Sequence, residues 1–145
     1  MSFREKTAWI TLVTIVVCFG AYYGAILSGL VPQKSWQAFH LGIIAIVGLA
    51  VLQVVLNLIA MAISRRDERN ARDERERMIH ARSHVIGYYV LMIGMAATLV
   101  VTHLVMPGDD FGDVVVRTVN VGVAVMVMAA LSVAIAQIVM FRRGY

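Results

Sequence analysis

Long apolar stretches alternate along the chain with short polar breaks, and that alternation predicts four membrane-spanning helices. About 20 helical residues cross the roughly 30 Å hydrocarbon core of a bilayer, and four stretches are long enough to do so. The first runs from about 8 to 30 and stops at Val31, Pro32, Gln33 and Lys34, where a proline and two polar residues end both helix and apolar run. The second occupies about 36 to 63. The third runs from about 85 to 106 and closes on the turn signal Met106, Pro107, Gly108, Asp109, Asp110. The fourth covers about 116 to 141, with Arg142 and Arg143 directly after it.

Composition agrees with that pattern. Of 145 residues, 60% are hydrophobic and only 15% charged, with mean hydropathy +0.79, against about 25% charged residues in soluble domains. Four spans and their connections use nearly all of 1–145, so a single transmembrane domain is expected, without a separate soluble one. Arg4 and Lys6 ahead of an apolar run resemble the start of a signal peptide, but the run is about twice the usual length and has no small-x-small cleavage site. It reads as a retained first span.

Charge then sets the expected orientation. Residues 64–84 form a charged island holding Arg65, Arg66, Arg69, Arg72, Arg75, Arg77 and Arg82. Together with Arg4, Lys6, Arg142 and Arg143 they place eleven basic residues on one side, against Lys34 and Arg117 on the other. Basic loops stay cytoplasmic, so both termini and the island are expected inside a bacterial inner membrane, with the turns at Pro32 and Pro107 outside. The fold expected is all-α: two like-oriented helical hairpins, N-in and C-in, joined by a cytoplasmic connector at 64–84. The net charge of +4 is better matched to anionic lipid headgroups than to nucleic acid, because no aromatic stacking surface is interleaved with the basic residues.

Helices in lipid associate through small residues and a few buried polar contacts. Thr7, Thr11, Thr14, Cys18, Ala21 and Ala25 form such a seam on the first span, Gln53, Asn57, Ala60 and Ser64 on the second, Gly87, Gly94, Thr98 and Thr102 on the third, and Asn120, Ala124, Ala130, Ala134 and Gln137 on the fourth. Gln53, Asn57 and Gln137 lie deepest in the apolar runs and are expected to face one another or water. They serve either as glue between helices or as the lining of a polar path in a small transporter or channel. No Asp, Glu, Lys or Arg lies mid-span, which favours glue.

Within the island, Asp73 has the look of an N-cap with Glu76 completing a capping box, so the connector is expected to be helical and to lead into the third span. Five acids (Asp67, Glu68, Asp73, Glu74, Glu76) accompany the seven arginines. Lipid binding alone has no use for the acids, so a self-paired helix face or a docking surface is expected. Arg72, Asp73, Glu74, Arg75 and Glu76 are the residues expected to carry a partner contact.

Four histidines raise the question of a cofactor. Glu76, His80 and His84 share one helical face at metal-chelating spacing, yet no second ligand cluster accompanies them. His40 and His103 lie at similar depth on the second and third spans and form a candidate bis-histidine haem pair; hydrogen bonding at the interface is the plainer role. Cys18 is the chain's one cysteine and reads as a packing residue. No phosphate loop, nucleophile elbow, Cys-x-x-Cys or His-Glu-x-x-His pattern occurs. No enzyme activity, bound metal or cofactor is therefore expected.

Asp73, Glu74, Arg75 and Glu76, followed by Ile79, Ala81 and Tyr88-Tyr89-Val90-Leu91 at the start of a span, resemble a widespread family of small bacterial four-span membrane proteins with an Asp-Glu-Arg motif. The opening Phe3-Arg4-Glu5-Lys6-Thr7-Ala8-Trp9-Ile10 resembles the start of proteobacterial members. Asp67-Glu68-Arg69 is a second copy of the tripeptide. That family has no established activity. Some of its members are encoded beside helix-turn-helix regulators, so the resemblance implies at most a regulatory link. A non-enzymatic inner-membrane protein acting through its cytoplasmic connector, or through association with itself, is the resulting expectation.

Overall fold

The computed structural model describes residues 3–32, 36–63, 74–104 and 110–143, and among them the secondary structure is entirely helical. Helix α1 spans Phe3–Leu27, α2 Trp36–Ile63, α3 Glu74–Leu104 and α4 Phe111–Arg143. All four are long and apolar enough to cross a membrane. At 25, 28, 31 and 33 residues each exceeds the roughly 20 that a bilayer core requires.

The helix ends differ from expectation in instructive ways. Helix α1 stops at Leu27, ahead of Pro32. Gly29 adopts φ 76°, the left-handed conformation open to glycine, and its N–H returns to the Ile26 carbonyl at 3.2 Å while that of Val31 reaches Ala25 at 3.2 Å. The chain therefore leaves the helix by a glycine cap. Helix α4 begins at Phe111, about five residues before the apolar run, with the Asp110 carbonyl accepting the Val114 N–H at 3.2 Å. Helix α3 runs without interruption from Glu74 through the apolar segment, as a helical connector requires; Asp73, its expected N-cap, lies outside the described residues.

Three interfaces carry most of the packing: α3 on α4, α1 on α2, and α1 on α4. The helices thus follow the neighbour order α2, α1, α4, α3. Each contact joins antiparallel neighbours, since Thr11 and Tyr22 of α1 meet Gln53 and Gly42 of α2, and Glu5 and Tyr22 meet Arg142 and Asn120 of α4. Ser83 and Gly94 of α3 likewise meet Gln137 and Val125. The core centres on α1, where Ile15, Phe19, Tyr22 and Ile26 pack with Ala45, Leu41 and Leu49 of α2 and with Val123, Val127 and Leu131 of α4.

That order explains which seams hold. On α3 the expected stripe is buried at Gly87, Thr98 and Thr102 and half-buried at Gly94, and Ser83, which the stripe did not include, is buried as well. A Cβ on Gly87 would collide with Val133 and lie 3.3 Å from the Ala129 carbonyl oxygen, and one on Gly94 would lie 2.5 Å from Val125. These glycines let the two backbones approach closely. On α1 the buried set is bulkier than the expected stripe, running through Ala8, Ile15, Phe19, Tyr22 and Ile26 together with Thr14, while Ala21 is exposed. An inner helix gripped from two sides buries a broader face than one seam. Buried hydroxyls are satisfied locally, as Thr14 donates to Ile10 O at 2.8 Å and Thr98 to Gly94 O at 2.8 Å. On α2 only Ala38 and Ala45 are buried, because it touches one main neighbour and turns the rest of its apolar surface outward. In lipid such a surface needs no protein cover.

Candidate functional site

Because α1 and α3 both pack on α4 and share no main interface, a cleft opens between them at the end bearing the chain termini. Its volume is about 490 Å³, within the range of small-molecule sites. Helix α3 contributes Glu76, His80 and His84, α1 contributes Thr7, Ala8 and Thr11, and α4 forms the floor with Ala130, Val133, Ala134, Gln137 and Phe141. Four-residue spacing brings the α3 side chains to one face. The alanines of α4 leave the room above the floor.

The polar groups around the cleft are ordered by a short chain of hydrogen bonds. Ser83 donates its hydroxyl proton to His80 O at 2.8 Å, and Gln137 Nε2 donates to Ser83 Oγ at 3.1 Å. His84 Nδ1 lies 2.9 Å from the same carbonyl oxygen of His80, and the two imidazoles stack with centroids 4.3 Å apart at 19°. Across the cleft, Thr11 Oγ1 accepts from Gln53 Nε2 of α2 at 3.0 Å. At the same end, Arg142 approaches Glu5 at 3.8 Å and lies 5.4 Å from the centre of the Trp9 ring.

The three span amides do not face one another. Gln53 pairs with α1 and Gln137 with α3, because α1 stands between the helices that carry them. Among the described residues, the buried Oδ1 of Asn57 has no hydrogen-bond partner. Gln137 and the Gln53 partner Thr11 do border the same cleft.

Of the expected connector contacts, Glu74 and Arg75 are exposed and Glu76 is half-buried at the cleft, while Arg72 and Asp73 lie outside the described residues. His40 is exposed, with Nδ1 2.7 Å from Trp36 O of its own helix. The His103 side chain lies outside the described residues, and α2 and α3, which carry the two histidines, share no main interface. Among the described residues no group of three or more His, Cys, Asp or Glu is placed to hold a metal ion.

Sequence reasoning passed over the junction at the opposite end. Tyr22 donates to Asn120 Oδ1 at 2.7 Å and Tyr23 donates to Asn120 O at 3.1 Å. An adjacent tyrosine pair on one span and a lone Asn at similar depth on another was the available signal. Near it a second, mostly apolar cleft of about 480 Å³ lies between α2 and α4, with Tyr22, Phe39, Gly42 and Val119 in its walls. Comparison with protein-family models, with curated proteins and with solved structures finds no match to this chain.

Proposed function

We propose that this chain is a non-enzymatic multi-pass protein of a bacterial inner membrane, with both termini cytoplasmic, that acts by presenting its charged connector to a protein partner or to a second copy of itself. The length of α3 is the observation that carries this reading. Its 31 residues extend about 46 Å at 1.5 Å per residue, roughly half as long again as a 30 Å hydrocarbon core. The surplus is the charged end, where Glu74, Arg75, Arg77 and Arg82 are exposed. A continuous helix holds those charges at a fixed distance from the membrane, which suits recognition better than a loose loop does. Anionic headgroups would neutralise the arginines and leave the acids for a protein surface.

Site-specific photo-crosslinking in cells tests the proposal. Glu74→Arg combined with Arg75→Glu should leave membrane insertion intact and change the set of crosslinked proteins. An unaltered set would remove the connector from the contact.

A second reading, a small transporter with its polar path past Gln53, Asn57 and Gln137, is supported by the position of Gln137 in the cleft wall. Replacing Asn57 and Gln137 together by Leu should abolish flux across proteoliposomes. Undiminished flux would exclude that path.

A further inference from the structure

The cleft between α2 and α4 combines apolar walls with one polar spot. Both helices pack on α1 and share no main interface with each other, so Tyr22 of α1 forms the floor of a space of about 480 Å³. Trp36, Phe39 and Ile43 of α2 and Val116 and Val119 of α4 are exposed in its walls. Between helices long and apolar enough to cross a membrane, such walls would meet hydrocarbon, and an occupant would enter from the bilayer. Gly42 stands beside the floor, where a Cβ would lie 3.4 Å from the Tyr22 ring and 3.6 Å from its hydroxyl oxygen. The glycine leaves open what a larger side chain would cover.

The hydrogen bonds at the polar spot reveal what it offers. The Tyr22 hydroxyl gives its one proton to Asn120 Oδ1 at 2.7 Å, so its oxygen remains an acceptor. Val116 O can only accept, so its 3.0 Å contact with Nδ2 fixes the orientation of the Asn120 amide. The second proton on Nδ2 has no acceptor among the described residues. Oxygen and nitrogen of one carboxamide lie about 2.3 Å apart, so the 2.7 Å bond places Nδ2 no more than about 5 Å from the Tyr22 oxygen. One oxygen atom hydrogen-bonded on both sides at about 2.8 Å spans up to about 5.6 Å. A single hydroxyl therefore fits the pair, donating to Tyr22 and accepting from Asn120. A carbonyl or ether oxygen would satisfy Asn120 alone, and no charged side chain lines the cleft among the described residues to hold an ion.

We propose that this cleft binds an uncharged, membrane-soluble alcohol, its hydroxyl bridging Tyr22 and Asn120 and its apolar body lying along Phe39, Ile43 and Val119. The site stands apart from the connector reading, since it lies at the other end of the bundle and needs no protein partner.

Photolabelling of the full-length protein in phosphatidylcholine nanodiscs with 3-azioctanol, a diazirine alcohol, tests the site. Saturable adducts on α2 between 36 and 46 and on α4 between 115 and 123 are expected, located by tandem mass spectrometry. Competitors of matched size separate the two hydrogen bonds. At equal concentration in the bilayer, octan-1-ol should compete about three- to tenfold better than methyl heptyl ether, which cannot donate to Tyr22. The ether should in turn compete about threefold better than nonane, which cannot accept from Asn120. Filling of apolar space alone ranks the three equally, and equal competition would overturn the proposal. Val119→Trp fills the cleft from an exposed position and leaves the bond between Tyr22 and Asn120 in place, so it should remove saturable labelling; undiminished labelling would also overturn it. Labelling that rises in proportion to the probe without saturating would show that bilayer chains alone occupy the groove, a third outcome against the proposal. The competitor series uses the unsubstituted chain in a nanodisc that holds no other protein, so its result depends neither on the folding of a variant nor on the crosslinking outcome.

Discussion

The Tyr22 hydroxyl donates a 2.7 Å hydrogen bond to Oδ1 of Asn120, 98 positions further along the chain. It joins α1 to α4, and hence one hairpin to the other, through the interface between them that carries main packing. The Tyr23 hydroxyl closes on the Asn120 carbonyl at 3.1 Å, so one asparagine serves two tyrosines. Buried polar contacts between membrane helices are worth about 1 kcal/mol. Tyr22→Phe should therefore lower stability by about that amount, measured by unfolding in mixed micelles, with coupling of similar size to Asn120→Ala in a double-mutant cycle. Additive effects of the two changes would show that the pair contributes nothing across the interface.

The glycines of α3 and α2 make a contrasting pair of tests. Gly87 and Gly94 face Val133 and Val125 too closely to admit a Cβ, whereas Gly48 has nothing within 4 Å of that position. Gly87→Leu or Gly94→Leu should force α3 away from α4 and cost about 1–3 kcal/mol as an overpacked contact does. Gly48→Ala should leave stability unchanged or slightly higher. Loss of stability in Gly48→Ala equal to that in Gly87→Leu would mean that α2 is not an edge helix.

Sidedness is open to chemical labelling. In a Cys18→Ser background, Ser28→Cys reports one end of the bundle, and Glu74→Cys with Arg143→Cys reports the other. An impermeant maleimide added to intact cells should label Ser28→Cys alone, with the other two reacting after lysis. The reverse pattern would place the connector outside and remove any cytoplasmic partner.

How far the sequence foretold these features depended on whether the cause was local. Number and approximate place of the helices follow from runs of apolar residues, and α2 appears at 36–63 in both readings. Gly29 ended α1 before Pro32 because the signal for a left-handed cap is one residue within a run of small and apolar ones. The α3 stripe of Gly87, Gly94, Thr98 and Thr102 was legible since close backbone approach demands small residues. The α1 stripe was not, because a helix with two neighbours is buried over a wider arc than periodicity isolates. The histidine and glutamate side of the cleft was legible as the four-residue spacing of Glu76, His80 and His84. Its other walls, at Thr7 and Gln137, depend on α4 standing between α1 and α3, an order that no local pattern encodes.

Asn57 offers the sharpest test of what the span amides do. Its Oδ1 is buried and has no hydrogen-bond partner among the described residues, whereas Gln53 one turn earlier pairs with Thr11 at 3.0 Å. An unsatisfied buried acceptor costs about 1–3 kcal/mol, and an apolar residue in its place removes that cost. Asn57→Leu should therefore stabilise the protein by about 1 kcal/mol, while Gln53→Leu, which strands the Thr11 hydroxyl, should destabilise it by a similar amount. Thermal unfolding in nanodiscs gives both values. Destabilisation by Asn57→Leu would reveal a polar contact at Oδ1, such as a bound water or ligand, and would turn the amides from helix glue toward a lined path.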